Sequence, residues 1–330
     1  MRKPVLITGA SGFLGGALAL RLAERGTPVR ALVRSPAKAA FLRESALPVE
    51  IIHGSLNDAH PLRAAAEGCD VVFHCAALLG GHIDQQRAVN VDGTRRLMHA
   101  AADADVRRVV HVSTLSVYGV CYDGMISEDM PPAPGSDPYG ITKAEAEIAV
   151  REVSAERGID AAIMRPGMIY GPRAGLWTGA LFRLASRVPT PWIGSGGGLA
   201  HCVFVDDVTD MLMLLADHPD AVGETFNCSS DPSPTWRAFM GEYARLSRGV
   251  NDDWLELPPE LAYIAGGLAM LFSPPASRGR MAVDFITFMQ KRAQFSMRKA
   301  RERLNWEPQI SLEAGVAHCA DWLHAQGWLA

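Results

Sequence analysis

Tyr139 and Lys143 stand four residues apart in Asp137-Pro-Tyr-Gly-Ile-Thr-Lys143, at the start of a helix-type pattern, so one helical face carries both side chains. A phenol with a pKa near ~10 is a poor base at neutral pH, but a neighbouring ammonium favours its ionised form. Such a pair can give a proton to a carbonyl oxygen or take one from an alcohol. The spacing alone equally describes an exposed i,i+4 pair. Position gives it weight: it follows, after a proline-rich loop, a strand-type run that ends in the hydroxyl-rich tip Val112-Ser-Thr-Leu-Ser-Val-Tyr-Gly119.

A second chemical signal lies near the N-terminus. Thr8-Gly9-Ala10-Ser11-Gly12-Phe13-Leu14-Gly15 follows the first apolar run and opens a helical pattern. Glycines there let the chain turn tightly and approach a pyrophosphate without a Cβ in the way, while the helix N-terminus offers free amides to negative charge. Gly9, Ser11, Gly12, Phe13, Leu14 and Gly15 are therefore the candidate dinucleotide cradle, although GxxGxxG departs from the GxGxxG spacing. Cofactor choice should be written at the end of the second strand, where an acidic side chain would hold the ribose 2′-hydroxyl of NAD. This chain has Ala31-Leu-Val-Arg-Ser35 there, with Lys38 one turn on. Arg34 and Lys38 match a 2′-phosphate, so NADP is expected, with NAD as the alternative.

Both signals need a scaffold. Val5–Thr8, Val29–Val33, Val49–His53, Val71–His74 and Val109–Ser113 are nearly continuous apolar runs, the pattern of strands buried on both faces. Gly15–Gly26, Ala37–Ser45, Pro61–Ala66 and Val91–Ala102 between them carry helical spacing. Alternating strands and helices predict an α/β fold with a doubly wound parallel sheet. A long helix over Tyr139–Arg157, a strand at Ala161–Arg165, a strand at Cys202–Val205 and a helix over Asp207–Ala216 complete the expectation. Residues 1–170, with 201–228 returning, would form the dinucleotide-binding domain; residues 171–200 and 229–330 would form a smaller, mainly helical substrate domain.

Composition narrows the partners. With 32 basic against 36 acidic residues the net charge is −4 and no basic stripe exists, so nucleic acid is not an expected partner. The six cysteines form no CxxC, so no metal site is predicted and a reducing, cytoplasmic setting is expected. The longest apolar stretch, Leu261–Phe272, falls short of the ~20 residues a bilayer span needs and reads as a buried or membrane-surface helix.

Taken in order, the motifs resemble the extended short-chain dehydrogenase/reductases, the NAD-dependent epimerase/dehydratase group. Besides the glycine loop they include Gly54-Ser-Leu-Asn-Asp58, His74-Cys-Ala-Ala77, Asn90-Val-Asp-Gly-Thr94, Tyr139-Gly-Ile-Thr-Lys143, Arg165-Pro-Gly-Met-Ile-Tyr-Gly-Pro172, Val205-Asp-Asp-Val208 and Leu304-Asn-Trp-Glu-Pro308. The resemblance implies a Rossmann domain in which Tyr139 is the acid/base, Lys143 its tuner and ribose ligand, and Thr114 the hydroxyl that orients the substrate oxygen, with Ser113 and Ser116 beside it. It places Leu56 in the adenine pocket, with Ser55 where an acidic residue is usual. Ala76 and Ala77 would lie close to the cofactor, and Pro166, Gly167 and Met168 beside the nicotinamide. Asn90 would bridge backbone.

The scaffold does not name the reaction. Nucleotide-sugar enzymes of the group place an arginine where this chain has Ala200, with His201 next to it. Leu78, Leu79, Trp177, Leu181, Phe182, Trp192 and Leu261–Phe272 suggest an apolar substrate layer or simply domain core. The pattern is most similar to the 3β-hydroxysteroid/sterol dehydrogenase and dihydroflavonol-reductase branch, which implies alcohol–carbonyl interconversion on a hydrophobic small molecule. A nucleotide-sugar epimerase/dehydratase and a non-catalytic NADP-binding redox sensor are the alternatives. Relatives of this kind imply a homodimer through the helices at Val91–Ala102 and Tyr139–Arg157.

Overall fold

The apolar runs pair side by side as parallel strands, because helical crossovers cover both faces of the sheet they form. A computed structural model describes residues 3–119, 123–250, 253–260 and 287–329. Its strands are β1 (Val5–Thr8), β2 (Val29–Val33), β3 (Val49–His53), β4 (Val71–His74), β5 (Arg108–Val112), β6 (Met125–Ile126), β7 (Asp160–Pro166), β8 (Met168–Tyr170), β9 (Thr190–Ile193), β10 (Cys202–Phe204), β11 (Thr225–Cys228), β12 (Trp254–Leu257) and β13 (Gln294–Phe295). Seven of them form one sheet in the order β11-β7-β5-β4-β1-β2-β3. The chain leaves β1 toward β2 on one side and returns to β4 on the other, so a crevice opens at the carboxyl ends of β1 and β4. Register puts Thr8 beside His74 and Val112 beside Met164 at that edge.

The helices are α1 (Phe13–Glu24), α2 (Ala40–Glu44), α3 (Ala59–Ala66), α4 (Ile83–Asn90), α5 (Asp92–Asp103), α6 (Pro138–Arg157), α7 (Leu181–Ala185), α8 (Val205–Asp217), α9 (Trp236–Arg248), α10 (Arg298–Leu304), α11 (Leu312–Ala317) and α12 (Ala320–Ala325). On one face α3, α5 and α6 pack over Leu6, Val72, Val109 and Ile163; on the other α1 and α8 cover Ile7, Phe73, Val110 and Met164. A third, aromatic cluster unites Tyr170, Phe182, Trp192, Trp236, Phe239 and Tyr243. The C-terminal segment also reaches the main sheet: Phe295, Met297, Leu304 and Trp306 join the cluster around β1.

The predicted doubly wound sheet is observed, with local differences. The expected helix at Ala37–Ser45 starts as a tight 3₁₀ turn, Pro36–Ala39, because Pro36 fixes its first position. Helix α4 was not expected, since Ile83-Asp-Gln-Gln-Arg-Ala-Val-Asn90 lacks a broad apolar stripe; a capping box between His82 and Gln85 starts it instead. Strand β11 is short and polar in part, and becomes a strand by pairing with β7 at the sheet's edge. Leu261–Phe272 lies outside the described residues. Among the described residues no helix is long and apolar enough to cross a membrane, and no group of three metal-ligating side chains occurs.

Candidate active site

A cleft of about 1000 Å³ opens over the carboxyl ends of β1, β4, β5 and β7. Its first wall is the glycine loop. Gly9 has φ +72°, and a Cβ there would lie 2.7 Å from the Ala76 backbone nitrogen; a Cβ on Gly15 would lie 2.5 Å from the Gly9 carbonyl oxygen. Only hydrogen fits between these backbones. Gly12 caps α1 without a side chain, so the first turn, Phe13, Leu14 and Gly15, lines the cleft with helix N-terminal amides that no side chain caps. Ser11, Ala77 and Leu56 line the same stretch. These are the properties a dinucleotide pyrophosphate requires.

Arg34 leaves the end of β2 as an exposed side chain on the cleft wall, near Ser55 and Asn57, and makes no ion pair among the described residues. Lys38 is exposed too but does not line the cleft. Ser55 uses its hydroxyl to accept from the Asn57 amide at 3.2 Å.

Asp137 caps α6, its two carboxylate oxygens accepting from the Tyr139 amide at 3.1 Å and the Gly140 amide at 3.0 Å. The cap, with Pro138 in the first turn, sets Tyr139 at the mouth of the helix, half-buried and lining the cleft. Burial, with Asp137 adding to it, raises the phenol above its ordinary value, so it is a proton donor at neutral pH. Thr114 also lines the cleft; its oxygen accepts from the Ser116 amide at 3.2 Å, which leaves its hydroxyl proton for a ligand. Ser113 is committed elsewhere, its hydroxyl donating to Glu147 at 2.6 Å. Pro166, Gly167 and Met168 close the floor from the β7 side.

Lys143 is the departure from the simple picture. Its side chain is buried and does not line the cleft; Nζ lies 3.0 Å from Nε2 of His111, and no hydrogen bond joins it to Tyr139 among the described residues. Burial lowers the ammonium to about 8, while Glu147 and then Cys75 favour its charged form. The reason is reach: one turn below Tyr139, the lysine extends under the cleft floor to β5.

The floor holds a polar network that local spacing did not reveal. Thr94 donates to the Asn90 carbonyl at 2.5 Å, so His74 Nε2, 2.9 Å away, supplies the proton to Thr94, and His74 Nδ1 accepts from Thr8 at 2.7 Å. Thr8 in turn accepts from the Ala76 amide at 3.3 Å. Burial, then the Lys143 charge, pulls His74 down to about 3. Deeper, Arg165 holds Glu147 with two hydrogen bonds, 2.8 and 2.6 Å, and donates to Tyr118 at 2.6 Å. Asn90 bridges backbone, donating to the Leu78 carbonyl at 3.0 Å and accepting from the Leu78 amide at 2.7 Å.

The opposite wall comes from distant sequence. Trp177, Phe288, Phe295, Lys291 and His201 line it. Lys291 donates to the Gly119 carbonyl at 2.7 Å. His201 is buried, edge-on to Phe295, with Nδ1 3.1 Å from Ser233. Of the residues read as substrate layer or domain core, Leu181, Phe182 and Trp192 sit in the aromatic cluster as core and do not line the cleft, whereas Leu79 and Trp177 do line it.

Comparison with known proteins agrees with this geometry. Residues 5–229 match the NAD dependent epimerase/dehydratase family. Sterol demethylase protein B of Methylococcus capsulatus is 40% identical over 51% of this chain and 52% of its own length. UDP-glucose 4-epimerase of Mycolicibacterium smegmatis is 31% identical over 94% of this chain and 96% of its own. Among solved structures, MoeE5 in complex with UDP-glucose and NAD superposes with a TM-score of 0.75 at 27% identity, covering 98% of this chain and 99% of that one.

Proposed function

The chain belongs to the NAD-dependent epimerase/dehydratase family, and from that premise we propose that it interconverts an alcohol and a carbonyl on a hydrophobic small molecule, with Tyr139 as acid/base. A nicotinamide dinucleotide, when bound, supplies or accepts the hydride. The residues that would hold it are the Gly9–Gly15 loop and α1 amides at the pyrophosphate, Leu56 and Ser55 at the adenosine end, and Ala76, Ala77, Pro166, Gly167 and Met168 along its length. Arg34, on the wall and without an ion pair among the described residues, is the group we assign to a 2′-phosphate, which makes NADP the preferred cofactor.

Tyr139 gives its proton to the carbonyl oxygen in reduction and regains it in oxidation. Thr114 donates to the same oxygen and fixes its direction. Lys143 supplies positive potential from beneath, so the phenolate that forms costs less than burial alone would demand.

The observation that carries the substrate class is the far wall. Ala200, where a diphosphate-binding arginine would stand, is fully buried with its amide donating to the Pro234 carbonyl at 2.8 Å, and Trp177, Phe288 and Phe295 present apolar surface instead. A relative named for sterol demethylation supports it. A nucleotide-sugar epimerase is the second reading, favoured by the near full-length likeness to UDP-glucose 4-epimerase and by Lys291 as a cation in the cleft. Two further proposals complete the reading: residues 1–170 with 201–228 bind cofactor while 171–200 and 229–330 shape the substrate side, and the chain pairs as a homodimer through the outer faces of α5 and α6, where Ile148 is exposed.

The test is a panel of sterols, ketones and alcohols with NADPH, NADP, NADH and NAD, read at the nicotinamide absorbance, alongside UDP-glucose binding by calorimetry. Turnover of an apolar ketone or alcohol supports the first reading. Micromolar UDP-glucose binding without such turnover supports the second and overturns the first.

A further inference from the structure

We propose that His111 is the positioning residue for Lys143: the lone pair on its Nε2 takes a hydrogen bond from the lysine ammonium and holds that charge under the cleft floor, one helical turn from Tyr139. The inference rests on Tyr139 and Lys143 being the working pair.

Geometry carries it. Nζ and Nε2 are 3.0 Å apart, and both side chains are essentially inaccessible to water. An ammonium has three donors and no acceptor, so the imidazole must present a bare Nε2 and carry its proton on Nδ1. Nδ1 has no partner among the described residues, so nothing else in the structure dictates the opposite tautomer.

The surroundings leave the ammonium no better acceptor. On α6, Glu147 is saturated by Ser113, by both arms of Arg165 and by Arg151 at 3.4 Å. On β4, the His74 ring lies 5.1 Å from that of His111, but both its nitrogens are engaged by Thr8 and Thr94. The Cys75 thiol stays protonated, pushed up by burial to about 12. Tyr139 faces the cleft, and Arg165 on β7 adds another cation. After burial itself, the charges on Lys143 and Arg151 oppose an imidazolium at His111. Glu147 compensates the buried cation through its charge, while His111 is the neutral acceptor that meets the ammonium directly and so fixes where it sits.

The sequence contains only five lysines, Lys3, Lys38, Lys143, Lys291 and Lys299, so the full-length protein labelled with ¹³Cε-lysine gives a spectrum simple enough to titrate each one. Loss of one signal in Lys143→Arg identifies Lys143. His111→Leu should move the Lys143 midpoint down by about one pH unit or more, and His111→Gln, whose amide oxygen accepts, should restore it. An unmoved Lys143 midpoint in His111→Leu, with the other four lysine signals in their native positions, overturns the proposal. Should His111→Leu fail to fold, ¹⁵N-histidine spectra of the unaltered protein decide: an Nδ1–H tautomer with Nε2 bare supports the assignment, and an Nε2–H tautomer or an imidazolium at neutral pH refutes it. These readouts need no turnover, so inactivity toward every substrate would count against the proposed reaction and not against the His111–Lys143 contact.

Discussion

The floor and the far wall of the cleft are built on opposite principles. Beneath Tyr139, Thr8, His74, Thr94, Asn90, Ser113, Glu147 and Arg165 fix one another through directional hydrogen bonds of 2.5 to 3.3 Å. Behind the far wall, the cluster of Phe182, Trp192, Trp236, Phe239 and Tyr243 is held by ring contacts with centroids 5.3 to 6.3 Å apart, in tilted and edge-on arrangements. A polar network permits one arrangement, because any lost partner strands a buried group. An apolar layer tolerates exchange of similar volumes. The contrast suits a shared reaction centre serving different substrates: chemistry is fixed below, and shape is adjustable above.

The contrast can be broken first at the floor. Arg165→Met takes two hydrogen bonds from Glu147, which keeps Ser113 and Arg151, and one from Tyr118, which keeps Asn227, and should cost about 3–5 kcal/mol in denaturant unfolding, although the side-chain volume is nearly kept. An effect under about 1 kcal/mol would show that the network is not what fixes the floor.

Acid should reach the floor next. On the floor the native-state value of His74 is depressed to about 3 and that of His111 is depressed as well, and on the far wall His201 is depressed to about 4, all first by burial. Unfolded histidine takes up its proton near ~6.5, so between that value and the native ones the unfolded chain binds more protons. Stability is therefore complete above pH ~6.5 and is lost as pH falls through that window, by about 2 kcal/mol at pH 5 from His74 alone. A flat unfolding midpoint between pH 7 and pH 5 would contradict the buried, neutral histidines.

The aromatic layer behind the far wall should respond less. Met240→Leu, fully buried in the aromatic cluster, is predicted to cost below ~1.5 kcal/mol in the same measurement. At the rim, which belongs to neither region, Arg34→Glu should move the ratio of kcat/KM for NADPH over NADH by at least about tenfold, or ~1.4 kcal/mol, with the stability unchanged. An unaltered ratio would remove Arg34 from cofactor choice.

The sequence made the sheet and the upper surface of the site legible because their signals are local. Thr8–Gly15 carries its reason for glycine in its own turn, and Asp137–Lys143 carries cap, phenol and amine within two helical turns. The floor was not legible, since its pairs are long-range: His74 with Thr8, Lys143 with His111, and Arg165 with Glu147 become neighbours only through strand order and register. The far wall was hidden for a similar reason. Phe288, Lys291 and Phe295 reach the cleft from far along the chain, whereas Trp192, near in sequence to the expected substrate layer, turned into the aromatic cluster.

The central claim is that the Tyr139 phenol transfers the proton in a reaction whose cofactor sits on the glycine loop. It is tested by Tyr139→Phe, measured for NADPH affinity by fluorescence and for turnover of whichever substrate the panel yields. The account predicts cofactor affinity within about twofold of the unaltered protein and kcat/KM lower by about 10²–10⁴-fold. Turnover by the phenylalanine variant at the original rate would contradict it.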